Sequence, residues 1–291
     1  MYIFSGTSNH PLAQSIAARL RTPLGNVEIT RFIDNECRVY VKEDVAGKRV
    51  FVLQSLSEVA DQHLVELCLI GQALKDLKAA EVTAVIPWMG YSKQDKAFRR
   101  GEAVSASLVA KFIEAAGFDR VITSELHSQK VLQYFHIPVV ELSTRELFGK
   151  YAGVVVSPDA GGRSRSETFA KEAHLSIVYL SKIRDRESGN VTVTGISDDI
   201  AGKDCIIFDD IINTAETAIK TSEFLKKNGA KNIFFLATHA VLAGDAAKKL
   251  DASVINRVIV TDTILVPKEK QCKKLTIVSV APILADAIMK Q

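Results

Sequence analysis

The stretches that decide the fold are Phe112-Ile113-Glu114-Ala115-Ala116-Gly117-Phe118-Asp119-Arg120-Val121-Ile122-Thr123-Ser124-Glu125-Leu126-His127 and Phe224-Leu225-Lys226-Lys227-Asn228-Gly229-Ala230-Lys231-Asn232-Ile233-Phe234-Phe235-Leu236-Ala237-Thr238-His239. Phe112, Ile113, Gly117, Val121 and His127 recur 112 positions later as Phe224, Leu225, Gly229, Ile233 and His239. Each copy reads as the end of a helix, a glycine where a helix terminus favours one, an apolar strand, and a histidine just past the strand. One α/β unit occurring twice predicts two similarly built domains, which we divide as 1–143 and 144–291.

Outward from the repeat, Val50–Gln54, Val82–Trp88, Val121–Ser124, Gly153–Ser157, Ile177–Leu180, Cys205–Phe208, Asn232–Ala237 and Arg257–Thr261 are compact and rich in β-branched or aromatic residues, so they read as buried strands. Helices are expected over Asp61–Leu77, Ser105–Ala116 and Ala215–Asn228. In the first, Asp61 is placed as the N-cap, with Leu64, Leu67, Cys68 and Leu74 on one face. The alternation predicts an α/β fold with mainly parallel sheets flanked by helices. Ligands in such folds bind beyond the carboxyl ends of strands.

Composition removes several functions. With 47% apolar and 24% charged residues the chain is neither disordered nor fibrous, and 37 basic against 34 acidic residues give no global electrostatic case for nucleic acid. The Lys-rich patches Lys226–Lys231 and Lys268–Lys274 lack interleaved aromatics and read as a helix end and a loop. The longest uncharged apolar stretch, residues 232–244, is too short to cross a bilayer, and the first twenty residues lack a secretory pattern. A cytoplasmic protein with no membrane partner is expected. Cys37, Cys68, Cys205 and Cys272 lie too far apart for a zinc site, and Cys68 and Cys205 read as small buried hydrophobes.

The chemistry is sought in the loops. After the strand Cys205–Phe208 comes Asp209-Asp210-Ile211-Ile212-Asn213-Thr214-Ala215-Glu216-Thr217. Paired carboxylates at a strand end can accept hydrogen bonds from vicinal sugar hydroxyls, and the hydroxyls and free N–H groups at the next helix start can hold a phosphate. An acidic turn before a Thr-capped helix is the alternative. A second loop, Ser157-Pro158-Asp159-Ala160-Gly161-Gly162, has two glycines that let the backbone approach an anion and Asp159 to hold a magnesium ion beside it. A third, Tyr91–Glu102, carries Lys93, Lys96, Arg99 and Arg100 and reads either as a solvated loop or as a lid over polyphosphate. His127, beside Glu125, reads alone as a structural histidine.

Together these segments resemble the ribose-phosphate pyrophosphokinases over nearly the whole chain. The matching motifs are Phe32-Ile33-Asp34-Asn35-Glu36, Asp61–Leu67, Lys93-Gln94-Asp95-Lys96, Leu126-His127, Val155–Gly162, Lys182-Ile183-Arg184 and Asp209–Thr217. The resemblance implies two phosphoribosyltransferase-like domains and transfer of the diphosphoryl group of ATP to the anomeric hydroxyl of ribose 5-phosphate, releasing AMP. It assigns Asp209, Asp210, Asn213, Thr214, Ala215 and Thr217 to ribose 5-phosphate, and Asp159, Ala160, Gly161 and Gly162 to a pyrophosphate loop. It assigns Phe32, Asp34, Glu36, Lys93, Gln94 and His127 to ATP, His127 and Asp159 to Mg2+, and Lys182 and Arg184 to stabilising the transferring group. Because the Phe32 segment reaches a neighbouring subunit's site in the family, a homo-oligomer is implied.

Asn213 stands where the family usually has Asp, Glu216 where it has glycine, and Ile33 where it commonly has proline. The lid and the short C-terminal end resemble the compact, archaeal-type members. A phosphoribosyltransferase is one alternative, though it leaves the first half of the chain unexplained. A non-catalytic regulatory paralogue is the other.

Overall fold

A computed structural model of the chain describes residues 1–159, 161–184 and 191–291, and contacts divide it into two units. The first comprises residues 1–144, 263–265 and 279–291, and the second residues 145–262 and 266–278. The division thus differs from the expected 1–143 and 144–291, because the C-terminal helix packs with the first half of the chain.

The first unit is built from β1 (Tyr2–Ser5), α1 (His10–Arg19), β2 (Val27–Arg31), β3 (Cys37–Val41), β4 (Arg49–Leu53), α2 (Ala60–Asp76), β5 (Glu81–Ile86), α3 (Ser105–Ala115), β6 (Arg120–Ser124) and β7 (Val139–Leu142). Its five-stranded sheet has the order β1-β4-β5-β6-β7, parallel throughout. Val50 and Val52 of β4 and Val82, Ala84 and Ile86 of β5 face Leu64, Leu67, Ile70 and Leu74 of α2 and Val109 and Ile113 of α3. Val59 is the N-cap residue of α2, and Asp61 lies in its first turn, where its charge favours the helix dipole without capping it. Strands β2 and β3 form a separate antiparallel hairpin with Phe32–Glu36 at its tip.

The second unit contains β8 (Val154–Ser157), α4 (Arg163–Ala173), β9 (Ser176–Arg184), β10 (Val191–Ile196), β11 (Cys205–Ile212), α5 (Glu216–Lys227), β12 (Ile233–Ala240), α6 (Ala246–Ala252), β13 (Arg257–Thr261) and β14 (Leu275–Val278). The chain then returns to the first unit as α7 (Ala281–Met289). The second sheet has the order β10-β9-β8-β11-β12-β13-β14, parallel except for β10.

From β8 the chain crosses to β9 on one side, whereas from β11 it crosses to β12 on the other. Right-handed crossovers in opposite directions place their helices on opposite faces. The side chains bear this out: Ile206 and Phe208 pack with Phe169 and Ala170 of α4, while Cys205 and Ile207 pack with Ala218 and Leu225 of α5. The two helices therefore diverge from adjacent strands and leave a crevice at the carboxyl ends of β8 and β11.

The internal repeat is realised as β5-α3-β6 and β11-α5-β12, each an adjacent parallel pair. Gly117 and Gly229 end the two helices at φ +90° and +85°, a region side chains avoid. The histidines diverge. His127 lies past β6 and is exposed, but β12 stays paired with β11 through Ala240, so His239 is inside the strand opposite Ile211 and fully buried. Irregular or short strands escaped the sequence reading, including β1, β2, β3, β7, β10 and β14.

Phe208 anchors one face of the second sheet. It is fully buried, stacked on Phe169 with ring centroids 4.6 Å apart and edge-on to Phe148 at 5.6 Å. Phe208→Ala is expected to lower stability by about 3–5 kcal/mol, because the rigid aromatic stack cannot close over the cavity. Urea denaturation followed by tryptophan-independent circular dichroism measures the loss.

Candidate functional site

Strand β11 runs on past its neighbour. Its last pairing with β8 is Ile207 with Val156, yet it continues to Ile212 along β12. Asp209 and Asp210 are therefore strand residues, not the loop residues expected, and the loop proper is Asn213–Ala215. A strand holds the carboxylates more rigidly than a loop does. Asp210 is only 1% exposed, and its backbone N–H donates to Asp209 Oδ1 at 2.9 Å.

Both carboxylates meet Arg165, a residue the sequence reading missed. Its Nη1 donates to Asp209 Oδ1 at 2.9 Å and lies 3.0 Å from Asp210 Oδ1. Arg165 precedes Phe169 by one helical turn, so the stacking of Phe169 on Phe208 aims Arg165 at the residues that follow Phe208. One signal was present. Arg163 and Arg165 put two cations at the start of α4, where the helix dipole disfavours them, which points to anionic partners. Arg163 pairs with Glu167 at 3.0 Å, and Arg165 with the aspartates. Burial, and then the charge of Asp210, push the Asp209 carboxyl up to about 7, with Arg165 pulling it back down.

Beside this strand end lies the loop after β8. The Gly162 N–H donates to Asp159 Oδ1 at 2.9 Å, curling the loop around the carboxylate, and Ser157 Oγ donates to the Asp159 carbonyl at 3.3 Å. Added Cβ atoms on Gly161 and Gly162 would meet only ordinary contacts, the nearest being Asp159 Oδ1 at 3.4 and 3.6 Å. Gly161 is exposed and Gly162 is buried, and neither is crowded by backbone. Ala160 lies outside the described residues. Lys182 and Arg184 lie on β9, paired with Val193 and Val191 of β10; their side chains lie outside what the structure describes.

After β11, Asn213, Thr214 and Thr217 are exposed, and no side chain caps α5. Its first-turn N–H groups have no intrahelical partner and suit an anion. Ala215 is the cap residue and adopts the left-handed conformation, φ +64°. The backbone strain expected at Glu216 thus falls one residue earlier, at about 1–2 kcal/mol for a non-glycine residue. Glu216 itself begins the helix and is exposed; Lys249 of α6, held protonated first by Asp245 at 2.9 Å, also feels its charge.

In the first unit, the hairpin tip is closed by Phe32 N–H donating to the Glu36 carbonyl at 2.9 Å and by Glu36 N–H donating to Asp34 Oδ1 at 3.2 Å. Phe32 is 54% exposed there, and Ile33 wholly so. Arg31 braces the tip through the Asn35 carbonyl at 2.9 Å and Gln62 of α2 at 3.1 Å. Lys93 is exposed, whereas Gln94 Oε1 is occupied by the Ser105 hydroxyl at 2.6 Å. The segment 91–104 has no helix or strand and is tied to the His127 loop by Ser128 Oγ on Asp95 at 2.6 Å and Tyr134 on the Asp95 carbonyl at 2.6 Å. Cys68 and Cys205 are thiols pushed up to about 11 by burial, which suits hydrophobes rather than redox centres.

Known proteins share this arrangement. Residues 1–117 match the family model for the N-terminal domain of ribose phosphate pyrophosphokinase, and residues 156–291 match the phosphoribosyl synthetase-associated domain. A ribose-phosphate pyrophosphokinase of Clostridium tetani is 40% identical, covering 99% of this chain and 93% of its own. The chain belongs to the ribose-phosphate pyrophosphokinase family. Another pyrophosphokinase of the family, from Burkholderia pseudomallei, is 38% identical over 100% of this chain and 94% of its own. The crystal structure of phosphoribosylpyrophosphate synthetase from Mycobacterium smegmatis superposes with a TM-score of 0.92 at 33% identity, covering 99% of this chain and 97% of that one. The pyrophosphokinase fold is thus the two-domain, mainly parallel α/β arrangement expected. No helix among the described residues is long and apolar enough to cross a membrane.

For this pyrophosphokinase, Glu216→Gly is expected to change the Michaelis constant for ribose 5-phosphate by less than about tenfold, equivalent to roughly 1.4 kcal/mol, because the side chain already points to solvent. Stability is expected to fall by about 1 kcal/mol, since glycine is a poor helix residue and a favourable first-turn charge is lost. Steady-state titration and urea denaturation give the two numbers.

Proposed function

We propose that the chain transfers the diphosphoryl group of ATP to the anomeric hydroxyl of ribose 5-phosphate, giving 5-phosphoribosyl 1-pyrophosphate and AMP. The observation that carries this reading is the crevice between β8 and β11, where a diol acceptor, an uncapped helix start and a glycine-lined anion loop come from adjacent parallel strands. Asp209 and Asp210 accept hydrogen bonds from the ribose hydroxyls, and Asn213, Thr214, Ala215 and Thr217 receive the 5-phosphate on hydroxyls and on the N–H groups of α5. Asp159, Ala160, Gly161 and Gly162 line the pyrophosphate. The anomeric oxygen attacks the β-phosphorus, the bond from that phosphorus to the α-phosphate oxygen breaks, and AMP leaves with the electron pair. Lys182 and Arg184 neutralise charge on the oxygens in flight, the role cations take where phosphoryl transfer relies on positioning and electrostatics.

Phe32, Asp34, Glu36, Lys93, Gln94 and His127 are assigned to ATP. Exposure of Phe32 at a braced hairpin tip supports a stacking role, and an aromatic presented so far into solvent supports a homo-oligomer in which it serves a neighbouring copy. The occupied Gln94 amide leaves its nitrogen as the group for a nucleotide. Asp159 and His127 are the residues assigned to Mg2+. When bound, it neutralises the phosphates on which attack occurs.

Purified protein with ATP, magnesium and ribose 5-phosphate is expected to form AMP and the 1-pyrophosphate in equal amounts. Lys182→Ala is expected to lower turnover about 10³-fold, roughly 4 kcal/mol, with Michaelis constants changed far less. Absence of ribose-dependent AMP in the native protein would favour the regulatory paralogue.

The shared site has its own test. Phe32→Ala is expected to weaken ATP. Mixing it with Lys182→Ala protein after subunit exchange is expected to restore activity, since some sites then draw both intact residues from different chains. No recovery after verified subunit exchange would count against a shared site.

A further inference from the structure

Helices α2 and α3 of the first unit carry apolar residues on both sides. Residues 67–74 and 104–110 contain no Asp, Glu, Lys or Arg, although only one side of each helix faces the sheet. On the outer side Val65 and Leu69 of α2, and Leu108 and Phe112 of α3, stand four residues apart and are 53%, 36%, 50% and 47% exposed. Val65, Leu69 and Phe112 line a groove of about 340 Å³ between the helices, whose described lining is apolar apart from Gln72 and the Cys68 thiol. The internal repeat shows that the fold does not require this. In α5, the counterpart of α3, Leu108 and Ala115 are replaced 112 positions later by Lys220 and Lys227, both exposed, so the same helix surface is solvated in the ordinary way.

The charge pattern fits a second copy of the chain as the occupant. In a two-fold contact a patch meets itself, so a charge near the axis faces its like, and the centre of such a contact is best left uncharged. Here Asp61, Lys75 and Asp76 stand at the ends of α2 and Lys111 beside Phe112, a charged rim around an uncharged centre. Glu66, in the middle of α2, is buried, accepting hydrogen bonds from the Thr7 N–H at 2.7 Å and the Gln54 amide at 2.6 Å. With no charged group in the groove, a small ionic metabolite has nothing there to fix it.

The face also leads to the hairpin tip. Strand β3 packs along α2, and Val65 lines both the groove and the recess under the tip, together with Arg31, Glu36 and Gln62. With Phe32 and Ile33 added, the exposed side chains present on the order of 500 Å² of apolar surface, over half of the roughly 800 Å² that each partner gives to a stable interface. Monomers rarely leave so large an apolar patch in water. We infer that the outer face of α2 and α3 is a two-fold contact between two copies of this chain, which sets each hairpin tip beside the neighbouring copy, a consequence that rests on Phe32 serving a neighbour's site.

Sedimentation velocity of the full chain tests the contact, with thermal unfolding as the check of fold. The native protein is expected to sediment as two chains or more. The double variant Leu108→Lys with Phe112→Lys is expected at half the native mass or less, its dissociation constant raised at least a hundredfold. Ile277→Lys, which changes an exposed apolar residue of the second unit, is expected to keep the native mass. A native monomer, an unchanged mass in the folded double variant, or equal dissociation by Ile277→Lys would overturn the proposal. If the double variant does not fold, Leu108→Lys alone decides, since Lys220 shows that lysine fits this position of the repeat. Failure of the shared-site reading looks different: the mixture of Phe32→Ala and Lys182→Ala proteins would show no recovery, while the native chain still forms an assembly that the lysine variants take apart.

Discussion

Right-handed crossover is the constraint from which the second unit follows. A chain that leaves β8 in one direction and β11 in the other must send α4 and α5 to opposite faces, because each helix returns to its sheet with the same hand. Divergent helices leave adjacent strand ends uncovered, with the amide N–H groups at the start of α5 and the carboxylates of β11, paired with Arg165, gathered there. The first unit lacks this reversal. Its strands run β1-β4-β5-β6-β7 in one direction, with α2 and α3 on a shared face.

The crevice is polar at its rim and aromatic at its base. Phe169 stacked on Phe208, with Phe148 edge-on, forms an aromatic cluster that buries a large apolar area next to two aspartates. Low polarity there is what lifts the Asp209 carboxyl to about 7, and the same low polarity strengthens the Arg165 ion pairs. The site is thus electrostatically costly by itself. Folding holds two like charges together that water would keep apart, and Arg165 makes the arrangement tolerable.

Strain is placed with similar economy. Ala215 takes the left-handed conformation that turns the chain from β11 into α5, although a side chain is disfavoured there. Its methyl is buried in the apolar cluster of α5 and β12, which offsets part of the backbone cost. Glu216 stays in an ordinary helical position, so a charge at this point leaves the phosphate cradle intact.

The sequence by itself determined the fold class, the order of the chemical segments and the family, because a strand's β-branched run, a glycine stop and a loop's residue types are local properties. It also marked Asp209, Asp210, Asp159 and the glycines. It misjudged the ends: β11 outruns Phe208 because β12 continues to pair with it, and His239 differs from His127 for the same reason. Only the tertiary structure decided that α7 belongs with the first unit and that Arg165 meets both aspartates. Those outcomes depend on contacts between residues 44 or more positions apart, which arise from the crossover and the aromatic stack and leave no local periodicity to read.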